Sequence, residues 1–401
     1  MPKKTIRDLD VRSKRVLVRV DFNVPLKDGT VLDDTRIQAA LPTIQYLIDS
    51  GAKVILMSHL GRPKGKPDPA YKMDPVARRL EELLGRKVKK IDFCVGPEAE
   101  KAVGEMAEGD VLLLENTRFY PGETSSDPEF ARELASLGDI FVNDAFGAAH
   151  RAHASTYGVA EYLPTAAGFL MEKEISIMDK ILKEPERPLT AVVGGAKIAD
   201  KMSVLLNFMN HVDYLVIGGG VANTFLKAMG YEVGKSLVED EKILSAQEII
   251  DSSKMNGVKL FLPEDVVIAK EIDPNAETKV VPVDSIPKNM MVLDIGPKTA
   301  KKYSEIIRSS NSAVWVGPMG VFEYDAFAGG TKAVAEAVAS VPYSLVGGGD
   351  SAAAAEKMGV ADRITHISTG GGASLKYLGG EELPGITVIM EKDPDKVELK
   401  N

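Results

Sequence analysis

Residues Tyr343–Ser351 read YSLVGGGDS. A short apolar run stops at three glycines and is followed by Asp, Ser and a helical pattern. A run of that length, bounded by glycine, reads as a buried strand feeding a helix, the unit of a parallel sheet. The same figure recurs in the C-terminal half as AVVGGAK from Ala191, YLVIGGG from Tyr214, VWVGPMG from Val314 and ITHISTGGG from Ile364. In the N-terminal half the strands end differently. VLVRVDFNVP from Val16, VILMSHLGRPKG from Val54, VLLLENTRFYPGE from Val111 and IFVNDAFGAAHRAH from Ile140 run into Asp, His and Arg. In open α/β sheets ligands bind beyond the carboxyl ends of the strands. Cationic loops suit a small polyanion, and glycine loops let backbone N–H groups and helix N-termini approach phosphate. The two halves therefore predict two ligands, an anionic metabolite and a nucleotide, with a group passed between them.

Helical patterns such as Pro75–Gly85 and Thr331–Val341 alternate with the strands, which predicts parallel sheets with helical crossovers. The expected class is α/β, with about four to six strands before Gly168 and about six after Thr190. Between them Leu170, Met171, Ile175, Met178, Ile181 and Leu182 fall near helical spacing, closed by Pro185 and Pro188. This reads as a connector, so the expected boundaries are 1–168, a hinge helix over 169–188, and 189–383.

The chain has 401 residues, enough for two cores, and a net charge of −9. That charge argues against broad nucleic-acid binding, which needs a basic surface. Cys94 is the only cysteine, so no intrachain disulfide forms, as expected in a reducing compartment. No run approaches the length of a membrane span and MPKKTIRDLD lacks an apolar leader core, so the expectation is a cytoplasmic protein without a membrane partner.

Arg36, Arg62, Arg118 and Arg151 stand in separate strand-end loops, with Arg19, Asp21, Asn23, His59, His150 and His153 near them. Arginine suits bidentate recognition of carboxylate and phosphate, so the grouping predicts one converging anion site. His150 and His153 lack a third ligand at metal spacing, which favours hydrogen bonding or anion contact. On the glycine side, Lys197 and Lys201 follow Gly194 and Gly195. If a helix starts there, both ammonium groups share a face. Asp350 is placed to reach Mg²⁺ held by nucleotide phosphates, and Glu323 to accept from ribose hydroxyls. Two motifs mislead. MGYEVGKS from Met229 has one residue too few for a phosphate loop of Walker type, and reads as a turn. Gly347, Gly349 and Ala352 match a dinucleotide fingerprint, but the acidic residue expected about 20 positions on is missing. No nucleophile with an adjacent base is evident, so direct transfer by positioning and electrostatics is the simpler chemistry.

RVDFNVP, DDTRI, SHLGRPKG, ENTRF, NDAFGAAHRAHAS, GGAKIADK, GPMGVFE, GGGDSAAA and STGGGAS, in this order, resemble the phosphoglycerate kinase family along nearly the whole chain. The resemblance implies two Rossmann-like lobes, each a parallel sheet flanked by helices, joined by a hinge helix, with a C-terminal segment (384–401) returning to the N-terminal lobe. It implies reversible, in-line phosphoryl transfer from 1,3-bisphosphoglycerate to Mg-ADP after hinge closure, giving 3-phosphoglycerate and ATP, with Mg²⁺ as cofactor and a monomer as the expected state. By motif, Asp21, Asn23, Arg36, His59, Arg62, Arg118 and Arg151 resemble the phosphoglycerate site. The resemblance implies that of these His59, Arg62, Arg118 and Arg151 hold the non-transferred phosphate and that Arg36 sits at the reacting carboxyl end. Gly195, Lys197 and Lys201 resemble the nucleotide-phosphate segment, and Lys197 and Lys201 with Arg36 make the expected catalytic set. Leu293, Pro318 and Glu323 resemble the adenosine pocket, and Gly348, Gly349, Asp350 and Ser351 the phosphate and Mg²⁺ loop. Val292, Val316 and Lys376 stand where the family usually has Gly, Asn and Glu, all on the nucleotide side. Two other readings compete: an NAD-dependent dehydrogenase, resting on the Gly347 fingerprint, and a non-enzymatic nucleotide binder on the same fold.

Overall fold

RVLVR forms β1 (Arg15–Arg19), an interior strand of the N-terminal sheet in the computed structural model, which describes residues 2–393. A short antiparallel hairpin follows, β2 (Leu26–Lys27) and β3 (Thr30–Val31). Then come β4 (Lys53–Met57), β5 (Lys89–Lys90), β6 (Val111–Leu113), β7 (Ile140–Asn143) and β8 (Thr165–Ala167). The sheet order is β5-β6-β4-β1-β7-β8, with every pairing parallel. Both faces are covered. Val16, Val18, Val54 and Leu56 enter one apolar cluster with Ile37, Ile44 and Leu80 from two helices. Leu17, Ile55 and Leu112 enter another with Ala99, Phe130 and Leu134. Burial on both faces explains the unbroken apolar runs.

The C-terminal half holds β9 (Leu189–Val193), β10 (Tyr214–Ile217), β11 (Lys259–Phe261), β12 (Asp265–Ala269), β13 (Lys279–Pro282), β14 (Met291–Ile295), β15 (Ser312–Val316), β16 (Tyr343–Gly347) and β17 (His366–Ile367). The sheet β11-β10-β9-β15-β16-β17 is parallel, and in chain order its strands run 3-2-1-4-5-6, the doubly wound arrangement. The strand order reverses between β9 and β15, so the loops following those strands flank the position where this arrangement binds ligands. Strands β13-β12-β14 form a separate antiparallel sheet. The expectation of about six strands after Thr190 missed these three.

The fold is thus α/β, with two Rossmann-like parallel sheets flanked by helices. The chain divides into one unit running to Ile175 and resuming at Glu382, and a second over Ser176–Glu381. Helix Phe169–Lys183 begins in the first and ends in the second. Its first turn is held by side chains of the first unit. Phe169 N–H donates to Thr43 Oγ1 (2.9 Å), and the N–H groups of Leu170 and Met171 donate to Asp144 Oδ1 (2.9 and 3.1 Å). Burial pushes the Asp144 carboxyl up to about 7. The segment from Gly385 also belongs to the first unit. Gly385 N–H donates to the Ala149 carbonyl (2.8 Å), Asn143 Nδ2 donates to the Gly385 carbonyl (2.9 Å), and Lys4 N–H donates to the Met390 carbonyl (2.7 Å). Residues 394–401 of the expected returning segment lie outside the described residues. Among those described, no helix is long and apolar enough to cross a membrane.

Candidate functional site

Asp21 and Asn23 follow β1, His59 and Arg62 follow β4, Arg118 lies in the turn after β6, and Arg151 follows β7. These four strands are consecutive in the sheet, β6-β4-β1-β7, so their ends deliver cationic side chains to one edge. Arg62, Lys64, Arg118, Arg151 and His153 line a pocket of about 510 Å³ together with Tyr120 and Thr124. Arg36, in the first turn of helix Thr35–Asp49, makes a second group. Its Nη1 donates to the Asn23 carbonyl (3.0 Å) and lies 3.4 Å from Asp21 Oδ2. Gly61 joins the groups: its N–H donates to Asn23 Oδ1 (2.8 Å) and its carbonyl accepts from Arg118 Nη1 (2.9 Å). Gly61 sits at φ +61, and a Cβ there would run into the Tyr71 ring.

The electrostatics favour an anion. Burial, with Arg19 and Arg151 close by, pushes the Arg118 guanidinium down to about 10, and its buried Nε has no hydrogen-bond partner. Burial and the cations Arg118, Arg19 and Arg151 push His153 down to about 4. Burial, Arg19 and Arg118 hold His59 well below the usual histidine range, so its ring is neutral. Positive charges held together against burial create a field that a bound anion relieves. His150 Nε2 accepts from Arg151 Nε (3.1 Å), which matches the non-metal reading of the His150 and His153 pair.

Two buried groups here exceed what the sequence assigned. Arg19 ends β1 fully buried, and Glu123 is a fully buried carboxylate in the turn of Pro121–Ser125. Arg19, placed near the loops by its sequence, is the last residue of β1 and is fully buried. Glu123 carries no obvious signal beyond being an acid in the same strand-end loop as Arg118.

In the second unit the glycine loops lean on one another. Gly194 N–H donates to the Val316 carbonyl (2.8 Å) and Gly195 N–H to the Pro318 carbonyl (2.8 Å). Gly195 has φ +92, with Lys201 Nζ 3.8 Å from where a Cβ would be. Lys197 is exposed and Lys201 half-buried. The expected shared helical face does not form. The chain turns irregularly through Gly195–Ile198, a 3₁₀ turn spans Ala199–Lys201, and the α-helix starts only at Met202. Gly195 itself lies outside helical space at φ +92, and the residues that follow it as far as Lys201 do not enter an α-helix.

Beyond β16, Gly348 (φ +92) caps helix Gly349–Lys357. The first backbone bond there is Ala352 N–H to the Gly348 carbonyl (3.1 Å), so the N–H groups of Gly349, Asp350 and Ser351 precede the helical ladder. The Asp350 side chain is exposed in that first turn. Ser351 differs: it is 1 % exposed, its Oγ accepts from Gly317 N–H (2.6 Å) and donates to the Gly347 carbonyl (2.9 Å). Its hydroxyl ties the β15 and β16 loops together.

Leu293, in β14, packs with Ala269 and Phe327, and its carbonyl accepts from Val321 N–H (2.9 Å). Glu323 is exposed, and Lys357 Nζ donates to its carbonyl (2.7 Å). Of the residues at unusual positions, Val316 is 1 % exposed and pairs with Val193 and Gly347 in the sheet. Val292 N–H bonds Ser236 Oγ (2.8 Å), and Lys376 pairs with Glu381 (3.2 Å) on the surface. MGYEVGKS contains a turn at Gly234, as expected. The dinucleotide fingerprint falls after the fifth strand of its sheet, whereas the fold that uses it carries it after the first.

The pattern of the phosphoglycerate kinase family matches residues 6–381. The chain is 60% identical over 393 residues to the phosphoglycerate kinase of Moorella thermoacetica, covering 98% of this chain and all of that protein. Among solved structures it is similar to phosphoglycerate kinase from Coxiella burnetii, at 42% identity and TM-score 0.90, over 97% of this chain and 99% of that one. Phosphoglycerate kinase from Pyrococcus horikoshii OT3 follows at 36% identity and TM-score 0.82, over 96% and 98%.

Proposed function

The chain belongs to the phosphoglycerate kinase family, and from that premise we propose that it moves the acyl phosphate of 1,3-bisphosphoglycerate to ADP, reversibly. An oxygen of the ADP β-phosphate attacks the phosphorus. The bond from phosphorus to the carboxyl oxygen breaks, and 3-phosphoglycerate leaves with its carboxylate. In the reverse direction that carboxylate is the acceptor.

The observation that carries this reading is the convergence of cations on one pocket, above all the buried Arg118 with its unpartnered Nε. In the proposal, His59, Arg62, Arg118 and Arg151 hold the phosphate that is not transferred. A guanidinium offers two parallel donors to such a group. Arg36, anchored by Asp21 and the Asn23 carbonyl, faces the reacting carboxyl and stabilises the charge that develops there. Lys197 and Lys201, with the N–H groups that open helix Gly349–Lys357, hold the nucleotide phosphates; a helix N-terminus favours anions. Leu293, Pro318 and Glu323 receive the adenosine.

The exposed Asp350 carboxylate, beside those N–H groups, suits a hard cation shared with phosphate oxygens, as Mg²⁺ is commonly held. When bound, Mg²⁺ neutralises phosphate charge. Transfer requires near-attack contact of about 3–3.5 Å with water excluded, and we assign the closing motion to the hinge around helix Phe169–Lys183. The protein acts as a cytoplasmic monomer in this reading.

A coupled assay of ATP-dependent phosphorylation of 3-phosphoglycerate tests the proposal. Turnover that needs both substrates is expected. Tight ATP binding without turnover would leave only a nucleotide-binding protein, and NAD binding would revive the dehydrogenase reading.

A further inference from the structure

Around the cation cluster runs a chain of buried hydrogen bonds with a single direction. Glu123 Oε1 accepts from Ser155 Oγ (2.6 Å) and from Thr117 Oγ1 (3.2 Å), and Oε2 accepts from Ser155 N–H (3.0 Å). A hydroxyl has one proton, and Ser155 gives its proton to Glu123. Toward Arg19 Nε, 2.7 Å away, the Ser155 oxygen can therefore only accept. Each Arg19 nitrogen has a partner: besides Nε, Nη1 donates to the Val20 carbonyl (2.6 Å) and Nη2 lies 3.0 Å from His59 Nδ1. A guanidinium has no acceptor, so His59 Nδ1 must present its lone pair and the ring hydrogen must sit on Nε2. Arg19, Glu123 and Ser155 are all fully buried, and His59 is 6 % exposed.

We propose that Glu123 and Ser155 are positioning residues that act through Arg19 to lock His59 in its Nε2–H tautomer, so that it meets the substrate's phosphate as a neutral hydrogen-bond donor. Without the relay the imidazole could offer a lone pair to the anion, which repels it. Buried networks of this kind specify one arrangement because each alternative leaves a polar group unpaired. The role in catalysis rests on the reading of the cluster as the phosphate site; the tautomer itself does not.

The test uses the full chain with ¹⁵N-labelled histidine. The His59 signals are assigned by their loss in His59→Gln. In the wild type, nitrogen shifts should report the Nε2–H form, with no titration between pH 5 and 8. An Nδ1–H form, or a protonation midpoint inside that range, overturns the proposal without any variant. Ser155→Ala should give a mixture of tautomers and raise KM for 3-phosphoglycerate about tenfold, with KM for ATP changed less than twofold. Glu123→Gln should act in the same direction and stands in if Ser155→Ala does not fold. Thr117→Val removes one bond to Glu123 without breaking the relay and should leave His59 unchanged. Wild-type tautomer and KM in Ser155→Ala would refute the relay. A changed tautomer with an unchanged KM would keep the tautomer lock and refute its role toward the phosphate.

Discussion

Replacing Arg118 by Met should weaken the substrate complex while leaving the free protein as stable as before, or slightly more so. The side chain is only 9 % exposed, and truncating an ordinary buried side chain costs about 2–5 kcal/mol. Arg118 is not ordinary. Holding its guanidinium charged at a pKa of about 10 rather than about 12.5 costs roughly 3 kcal/mol at 1.36 kcal/mol per pH unit. Solvent screening at the pocket reduces this to about 1–2 kcal/mol. Against that relief stands the bond from Nη1 to the Gly61 carbonyl (2.9 Å), worth about 1 kcal/mol. Methionine fills most of the volume with a flexible apolar chain. The balance is between zero and about +1 kcal/mol, a melting midpoint unchanged or higher by roughly 2–4 °C. Binding behaves oppositely. Losing one charge-assisted hydrogen bond costs about 1.5–3 kcal/mol, so KM for 3-phosphoglycerate should rise about ten- to 150-fold. KM for ATP should not change. Scanning calorimetry and steady-state kinetics on the same preparation decide it. A midpoint lower by 5 °C or more would mean that Arg118 is a structural ion, and the argument from its unpartnered Nε would fail.

Arg36→Ala should lower kcat by about 10²–10³-fold, as expected for a lost transition-state donor, while ADP affinity measured by calorimetry stays within twofold; near-normal turnover would exclude Arg36 from the transfer. His153 gives a pH effect whose sign follows from its lowered pKa. Folded His153 protonates near 4 and the unfolded residue near 6.5, so its contribution to stability is intact above about 6.5 and is lost as pH falls toward 4. The difference in melting midpoint between wild type and His153→Gln should therefore shift against the wild type across that window, and a constant difference would contradict the assignment. Val316→Asn places an amide at a site 1 % exposed, which should cost about 1–3 kcal/mol in urea unfolding. If position 316 faces nucleotide, ADP supplies the missing partner and raises the variant's midpoint more than the wild type's; equal rises would show that it does not.

The parallel sheets were legible because both faces of each are buried, which writes an unbroken apolar run into every strand. The antiparallel sheet was not, because DVVIA, KVVP and MVLDI look the same by composition. Connection length was the usable signal. The links from β12 to β13 (270–278) and β13 to β14 (283–290) are too short for a helical crossover. The cationic residues were visible as a group, since Arg62, Arg118 and Arg151 each stand in the loop past a buried strand, whereas Arg36 opens a helix. Their division into a pocket set and an Arg36 corner depends on the Gly61 peptide, whose bonds no pattern of side chains records. Glu123 and Ser155 were missed for a related reason: their significance lies in the bonds that hold Arg19 against His59, which only three-dimensional neighbours decide. The helical face expected for Lys197 and Lys201 failed because the segment between them is irregular and then a 3₁₀ turn, so four-residue spacing does not put them on one face.

The bonds made by the stretch beyond Gly385 bear on how the chain is built on the ribosome. Asn143, Ala149, Lys4 and Pro2 find their partners in Gly385, Met390 and Lys392. The unit synthesised first therefore lacks part of its own structure until nearly 250 further residues have followed β7. The unit over Ser176–Glu381 is one continuous stretch of chain. The usual order, in which the N-terminal domain folds to completion first, is unavailable here. A nascent chain halted after Glu381 should carry a finished second unit and a first unit still open to protease near Asn143 and Ala149.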